Sequence, residues 1–128
     1  MSIFNIVKYD EAIKYELVHP ASGDGLGITF SLVSSASDQA KAIYRKQIKL
    51  NYALQRKGKT IDIDEGEAQI IERLSASIVG WDWADQEFRE GEGAPEFNKS
   101  NISDVLTVDW IFDQISKQVN DIQNFTNP

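Results

Sequence analysis

The sequence predicts an α+β domain, an N-terminal β-hairpin packed on a bundle of three long α-helices plus one short helix. Three observations lead there. Residues 28–33 alternate with period two after a stretch rich in turn formers. Apolar residues recur at helical spacing over 40–54, 70–81 and 108–122. A length of 128 residues suits one domain with one core.

Residues 1–12 show little periodicity and suit either a loose arm or a short strand. Tyr15 to His19 and Ile28 to Val33 then read as two strands. Between them Pro20-Ala21-Ser22-Gly23-Asp24-Gly25-Leu26-Gly27 supplies the fixed φ of proline and the positive φ that glycine tolerates. Ile28, Phe30 and Leu32 share the core face. Ser34 to Asp38 offers capping groups for a first helix that runs to about Lys57, with Gly58 as its left-handed stop. Ala40, Ile43, Tyr44, Gln47, Ile48, Leu50, Asn51 and Leu54 fall on one arc of that helix, which places Tyr44 in the core. Lys41, Arg45, Lys49 and Arg56 form a basic face on the other. A second helix opens on Asp64-Glu65-Gly66-Glu67, with acids at its positive end. Its stripe is Ile70, Ile71, Leu74, Ile78 and Trp81, and Trp83 points away from it if the helix persists so far. Residues 84–99 form an acidic loop with Pro95. Ser100 caps a short helix over Asn101 to Thr107. The last helix runs from about Val108 to Asn124 on a stripe of Val108, Ile111, Phe112, Ile115, Val119 and Ile122. Trp110 lies opposite that stripe, so the acidic loop must cover it or it awaits a partner.

Charge is unevenly placed. Lys41 to Lys59 holds seven bases and no acid, whereas Thr60 onward holds 15 acids and 4 bases, a net of −11. A basic helix with Tyr44 and Tyr52 invites a nucleic-acid reading. A solvated basic face, offset by the acidic half, is the preferred reading, without nucleic acid as partner. No apolar run approaches 18 residues, so no membrane span is expected. The N-terminus lacks the basic and apolar regions of a secretory signal. The sequons at Asn98, Asn101 and Asn124 are therefore read as chance.

Catalytic and metal signatures are rejected one by one. Asp62-Ile63-Asp64-Glu65-Gly66 fails as a calcium loop, because glycine comes one position early and Arg73 stands where a bidentate glutamate is required. Gly23-Asp24-Gly25-Leu26-Gly27 has the wrong spacing for a dinucleotide turn. His19, the only histidine, sits before a proline at a strand end and is read as structural. With no cysteine there is no thiolate site. No nucleophile–base pair can be singled out. The chain is thus expected to be no enzyme and to need no cofactor. The candidate partner-binding residues are aromatic: Trp81, Trp83, Phe88, Phe97 and Trp110.

The ordered set Glu16-Leu17-Val18-His19-Pro20-Ala21, Gly27-Ile28-Thr29-Phe30-Ser31-Leu32 and Ser37-Asp38 resembles the start of the tail assembly chaperones of tailed bacteriophages and prophages. The similarity continues through Ile78-Val79-Gly80-Trp81, a polar loop, Phe97-Asn98-Lys99-Ser100-Asn101, Trp110-Ile111-Phe112-Asp113-Gln114-Ile115 and Phe125. It spans roughly residues 14–125. The resemblance implies a non-enzymatic protein of the host cytoplasm. Such a protein binds the tape-measure protein, keeps its apolar helices soluble, recruits tail-tube protein and leaves before the virion is complete. Many phages also make a longer product by ribosomal frameshifting near the end of this reading frame. Competing expectations are a structural virion component, such as a head–tail connector or tail completion protein, and a nucleic-acid-associated or DNA-mimic regulator.

Overall fold

A computed structural model describes residues 2–126. Its strands are β1 (Ile13–Val18), β2 (Gly25–Leu32) and β3 (Ile78–Asp82), and its helices are α1 (Asp38–Arg56), α2 (Ile63–Ser75), α3 (Lys99–Leu106) and α4 (Asp109–Asn120). Short 3-10 turns lie at Ile3–Asn5 and Ile122–Phe125. The fold is α+β, and its antiparallel sheet is ordered β1-β2-β3. The helices have 19, 13, 8 and 12 residues, so the expected three long helices reduce to one long and two of three to four turns.

The β1–β2 hairpin pairs Ile13 with Leu32 and Tyr15 with Phe30, then slips register between Glu16 and Val18. Its tip is held by backbone bonds from His19 N to Asp24 O at 2.8 Å and from Gly23 N to His19 O at 2.9 Å. The His19 ring adds to this, its Nδ1 accepting from Ala21 N at 3.1 Å. Beyond the slip Val18 pairs with Gly25, and its N–H and C=O are left for the open outer edge of β1. Gln114 of α4 fills the gap: its Oε1 accepts from Val18 N at 3.0 Å and its Nε2 donates to Val18 O at 2.8 Å. A helix side chain thus acts as the missing strand partner and ties α4 to the sheet.

The largest departure from the sequence reading is β3. The apolar spacing from Ile70 to Trp81 reads as one continuous helix, but α2 ends at Ser75. The chain turns at Ser77, whose carbonyl accepts from Val33 N at 2.8 Å, and pairs with β2 so that Trp81 faces Phe30 and Gly80 faces Ser31. Pairing satisfies the backbone of β2's second edge, which a helix ending here would leave bare. The remaining helix ends shift less. Of the capping groups offered by Ser34 to Asp38, Ser37 is the one that caps α1, through a side-chain bond from Ala40 N, and Gly58 follows the helix at φ 71°. Asp62 caps α2 and accepts from Glu65 N at 2.8 Å. The cap of α3 is Asn98 rather than Ser100, with Asn98 Oδ1 accepting from Asn101 N at 2.8 Å. The last helix stops at Asn120 because Asp121 turns extended, which leaves Ile122 exposed and buries Phe125 in its place.

The core joins one face of the sheet to α3, α4 and the end of α2. Leu17, Phe30, Leu32, Ile78, Val105, Leu106, Ile111, Ile115 and Val119 are among its buried members. Each such side chain contributes about 1.5–3 kcal/mol relative to exposure. From α1 only Ala40 and Gln47 are buried. The N-terminal residues are neither a loose arm nor a full strand. Val7 bridges Thr126, Lys8 N donates to Phe125 O at 2.7 Å, and Asp10 Oδ1 accepts from Asp38 N at 2.8 Å. Ile3 and Phe4 stand free of these ties and are exposed. Met1, within the stretch of open assignment, lies outside the described residues.

Candidate functional site

Four of the five aromatic candidates form one interlocked group. The Trp81 ring meets Phe97 at 5.5 Å, Phe30 at 5.6 Å and Trp83 at 5.7 Å, and Trp83 meets Phe88 at 5.8 Å, all edge to face. Such geometry directs ring edges at ring faces and adds roughly 0.5–1.5 kcal/mol per pair to area burial. Trp83 is 5% exposed and sits in the core, which corrects the expectation that it points away from the packed stripe. The correction follows from β3, since in extended chain residues two apart share a face, so Trp83 just past the strand follows Trp81, where a helix would rotate it away. Trp110 does not join the group. It is half-buried and packed against the core. Among the five, only Phe97 is substantially exposed.

The acidic loop, residues 84–99, is tied down along its length. Asp82 Oδ1 accepts from Ala84 N at 2.8 Å, which supports positive φ at Ala84 and Asp85. Gln86 Nε2 donates to Leu26 O across the hairpin at 2.5 Å. The Glu87 carboxylate accepts from Gly91 N and Gly93 N at 3.1 and 3.3 Å. Arg89 grips Asp104 of α3 through two parallel hydrogen bonds. That hydrogen bond holds the Asp104 carboxyl below its ordinary range and raises the Arg89 guanidinium. The loop is therefore a fixed cover beside the aromatic group.

Lys41, Arg45, Lys49 and Arg56 are all exposed on α1, with Tyr44, Ile48 and Tyr52 exposed beside them. Tyr44 is 45% exposed, contrary to its expected core position. It packs instead under Arg73, whose guanidinium lies 4.8 Å from its ring centroid. The seam between α1 and α2 is polar. Gln47 Nε2 donates to Gln69 O at 2.7 Å and to Glu72 Oε1 at 3.0 Å, while Gln47 Oε1 accepts from Arg73 Nε at 3.3 Å. Asn51 and Gln69 exchange amide hydrogen bonds at 3.3 and 3.0 Å.

Sequence reasoning misses a groove between α2 and α4. Two adjoining open cavities of about 180 and 330 Å³ share Ile70 and Phe112. Leu74 and Val119 line one end, with Arg73 and Asn120 at its rim. Ile71 and Leu106 line the other, with Glu67 and Asp109 at its rim. The signal was present. Adjacent Ile70 and Ile71 lie ~100° apart on a helix, so they diverge; Ile71 is half-buried against the core, and Ile70 is half exposed over the groove.

These surfaces offer shape and charge for binding. Among the described residues no group of histidine, cysteine, aspartate or glutamate is placed to hold a metal ion, and no helix is long and apolar enough to cross a membrane. No protein-family model, curated protein or solved structure matches the chain.

Proposed function

We propose that this chain is a tail assembly chaperone of a tailed bacteriophage or prophage. It is a non-enzymatic protein that binds the tape-measure protein in the host cytoplasm, assists tail-tube assembly and is absent from the finished virion. The groove between α2 and α4 is the observation that carries the reading. Its floor of Ile70, Phe112, Leu74 and Leu106 is apolar and open. The α2 wall has 13 residues, or roughly 20 Å at ~1.5 Å per residue, enough for three to four turns of a client helix. A tape-measure protein presents long apolar helices, and a shallow groove of this kind shields one face while leaving the client releasable. The ordered resemblance over residues 14–125 supports the same reading.

The test is co-expression with the long tape-measure candidate encoded nearby, followed by pulldown. The expected result is that the large protein becomes soluble and co-purifies, and that Ile70→Asp lowers the recovered complex about tenfold with the fold unchanged. Ile70 is half exposed, so this substitution costs little stability. An insoluble tape-measure protein, with this chain present stoichiometrically in purified particles, overturns the chaperone reading in favour of a connector or tail completion protein.

A further inference from the structure

We propose that copies of this chain pair with one another, the basic stripe of α1 in one copy lying on the 84–99 loop of the next. The two surfaces are complementary in charge and in apolar content. Lys41, Arg45, Lys49 and Arg56 run along one side of α1 over roughly 22 Å at ~1.5 Å per residue, and exposed Tyr52 lies between Lys49 and Arg56. The loop carries exposed Glu90, Glu92 and Glu96, and Phe97, 46% exposed, stands at its end.

Among the described residues neither surface is closed by an ion pair within its own molecule, although Glu92 lies in the field of Arg89. The ion pairs among the described residues are Arg89–Asp104 and Lys99–Glu72. None of the four α1 cations and none of Glu90, Glu92 and Glu96 takes part. The loop is pre-shaped by the Glu87 cradle and the Arg89–Asp104 grip, so little ordering entropy is lost when it is bound. A net charge of −7 opposes association at long range. Screening over about 8–10 Å in ordinary salt confines that repulsion and leaves the facing patches to decide.

A polyanion is the other occupant the stripe suggests. The same net charge repels it, whereas every copy of the chain brings its own acidic partner surface. Because the stripe and the loop are different patches, each copy keeps one of each to offer. Pairing then yields either a reciprocal dimer or a head-to-tail series.

The experiment is light scattering of the full chain across concentration, at low and at high salt. Three samples are compared: the native chain, the triple variant K41E/R45E/K49E and the double variant E90K/E92K. The native chain is expected to associate at low salt and to dissociate as salt rises. Each variant alone is expected to be monomeric, with native circular dichroism and about tenfold or more weaker self-affinity. Mixing the two is expected to restore a complex, since reversed stripe then meets reversed loop. That rescue separates loss of pairing from loss of fold. A native chain that stays monomeric at low salt, variants that associate undiminished, or a mixture that fails to pair overturns the proposal. So does a native chain that stays monomeric yet retards DNA or RNA through the α1 stripe, which would assign that stripe to nucleic acid. Chaperone activity toward a tape-measure protein enters none of these readouts.

Discussion

Single side chains settle how the sheet and the loop are held. Trp83 is buried with its Nε1 donor unpartnered, a desolvated N–H that costs about 1–3 kcal/mol. Replacing the indole by phenyl removes that donor and keeps most of the ring. Trp83→Phe is therefore expected within about 1 kcal/mol of the native chain, whereas Trp83→Ala costs about 3–5 kcal/mol. Urea midpoints at unchanged m separate the two; a Phe variant as weak as the Ala variant would show that the Nε1 donor finds a partner in solution. Asp104 tests the loop. The Arg89 hydrogen bond lowers its carboxyl below the ordinary 3.8. A folded value below the unfolded one contributes stability at higher pH, and this contribution fades as pH falls through the depressed value. Both side chains are largely exposed, so the effect on global stability is small. Carboxyl NMR should show Asp104 titrating below 3.8 in the native chain and returning toward it in Arg89→Ala. An unchanged midpoint would mean the grip does not persist in water.

Elements differ in how firmly they are attached. Helix α4 buries Ile111, Ile115 and Val119 and carries the Gln114 bridge, whereas α1, the longest helix, buries only Ala40 and Gln47. Its seam with α2 is a set of amide and guanidinium contacts, each worth about 0.5–1.5 kcal/mol net. α1 should therefore open locally without global unfolding. Hydrogen exchange is expected to show lower protection across α1 than across β2 and α4. Gln47→Ala should accelerate exchange in α1 while leaving α4 unchanged; equal acceleration everywhere would mean that α1 belongs to the core's cooperative unit. The sequence reveals elements in proportion to how local their causes are. A cap among Ser34 to Asp38, the Gly58 stop and the alternation of Ile28, Phe30 and Leu32 are written within a few residues and are read correctly. β3 is not, because Ile70, Ile71, Leu74, Ile78 and Trp81 fit a helical period, and what makes Ile78–Asp82 a strand is the edge of β2 some fifty residues earlier. Trp83 is misplaced for the same reason: a helix continued through Ile78 turns it away from the stripe, whereas beyond a strand it packs beside Trp81.

At the scale of the whole molecule, the α2–α4 groove and the charged surfaces lie on separate elements. The groove is apolar, and binding there should depend on shape and burial, with weak sensitivity to salt. The α1 stripe and the 84–99 loop are charged, and binding there should weaken steeply with salt. One concentration series in salt can therefore dissect them. Ile70→Asp is expected to lower client recovery about tenfold while leaving self-association intact, because Ile70 lines the groove and belongs to neither charged patch. K41E/R45E/K49E is expected to abolish self-association while a tape-measure client is still recovered. Should both variants lose both activities, with native circular dichroism, the two surfaces would be coupled. The polar α1–α2 seam is then the physical route, since Arg73 touches Gln47 and Tyr44 on one side and the groove rim on the other. Arg73→Leu distinguishes a coupled pair from an independent one. Because Arg73 also lines the groove, recovery is compared with the Arg73→Leu chain alone: independent surfaces keep their self-association, and in a coupled molecule the added Arg73→Leu brings client recovery of the triple variant back to that level.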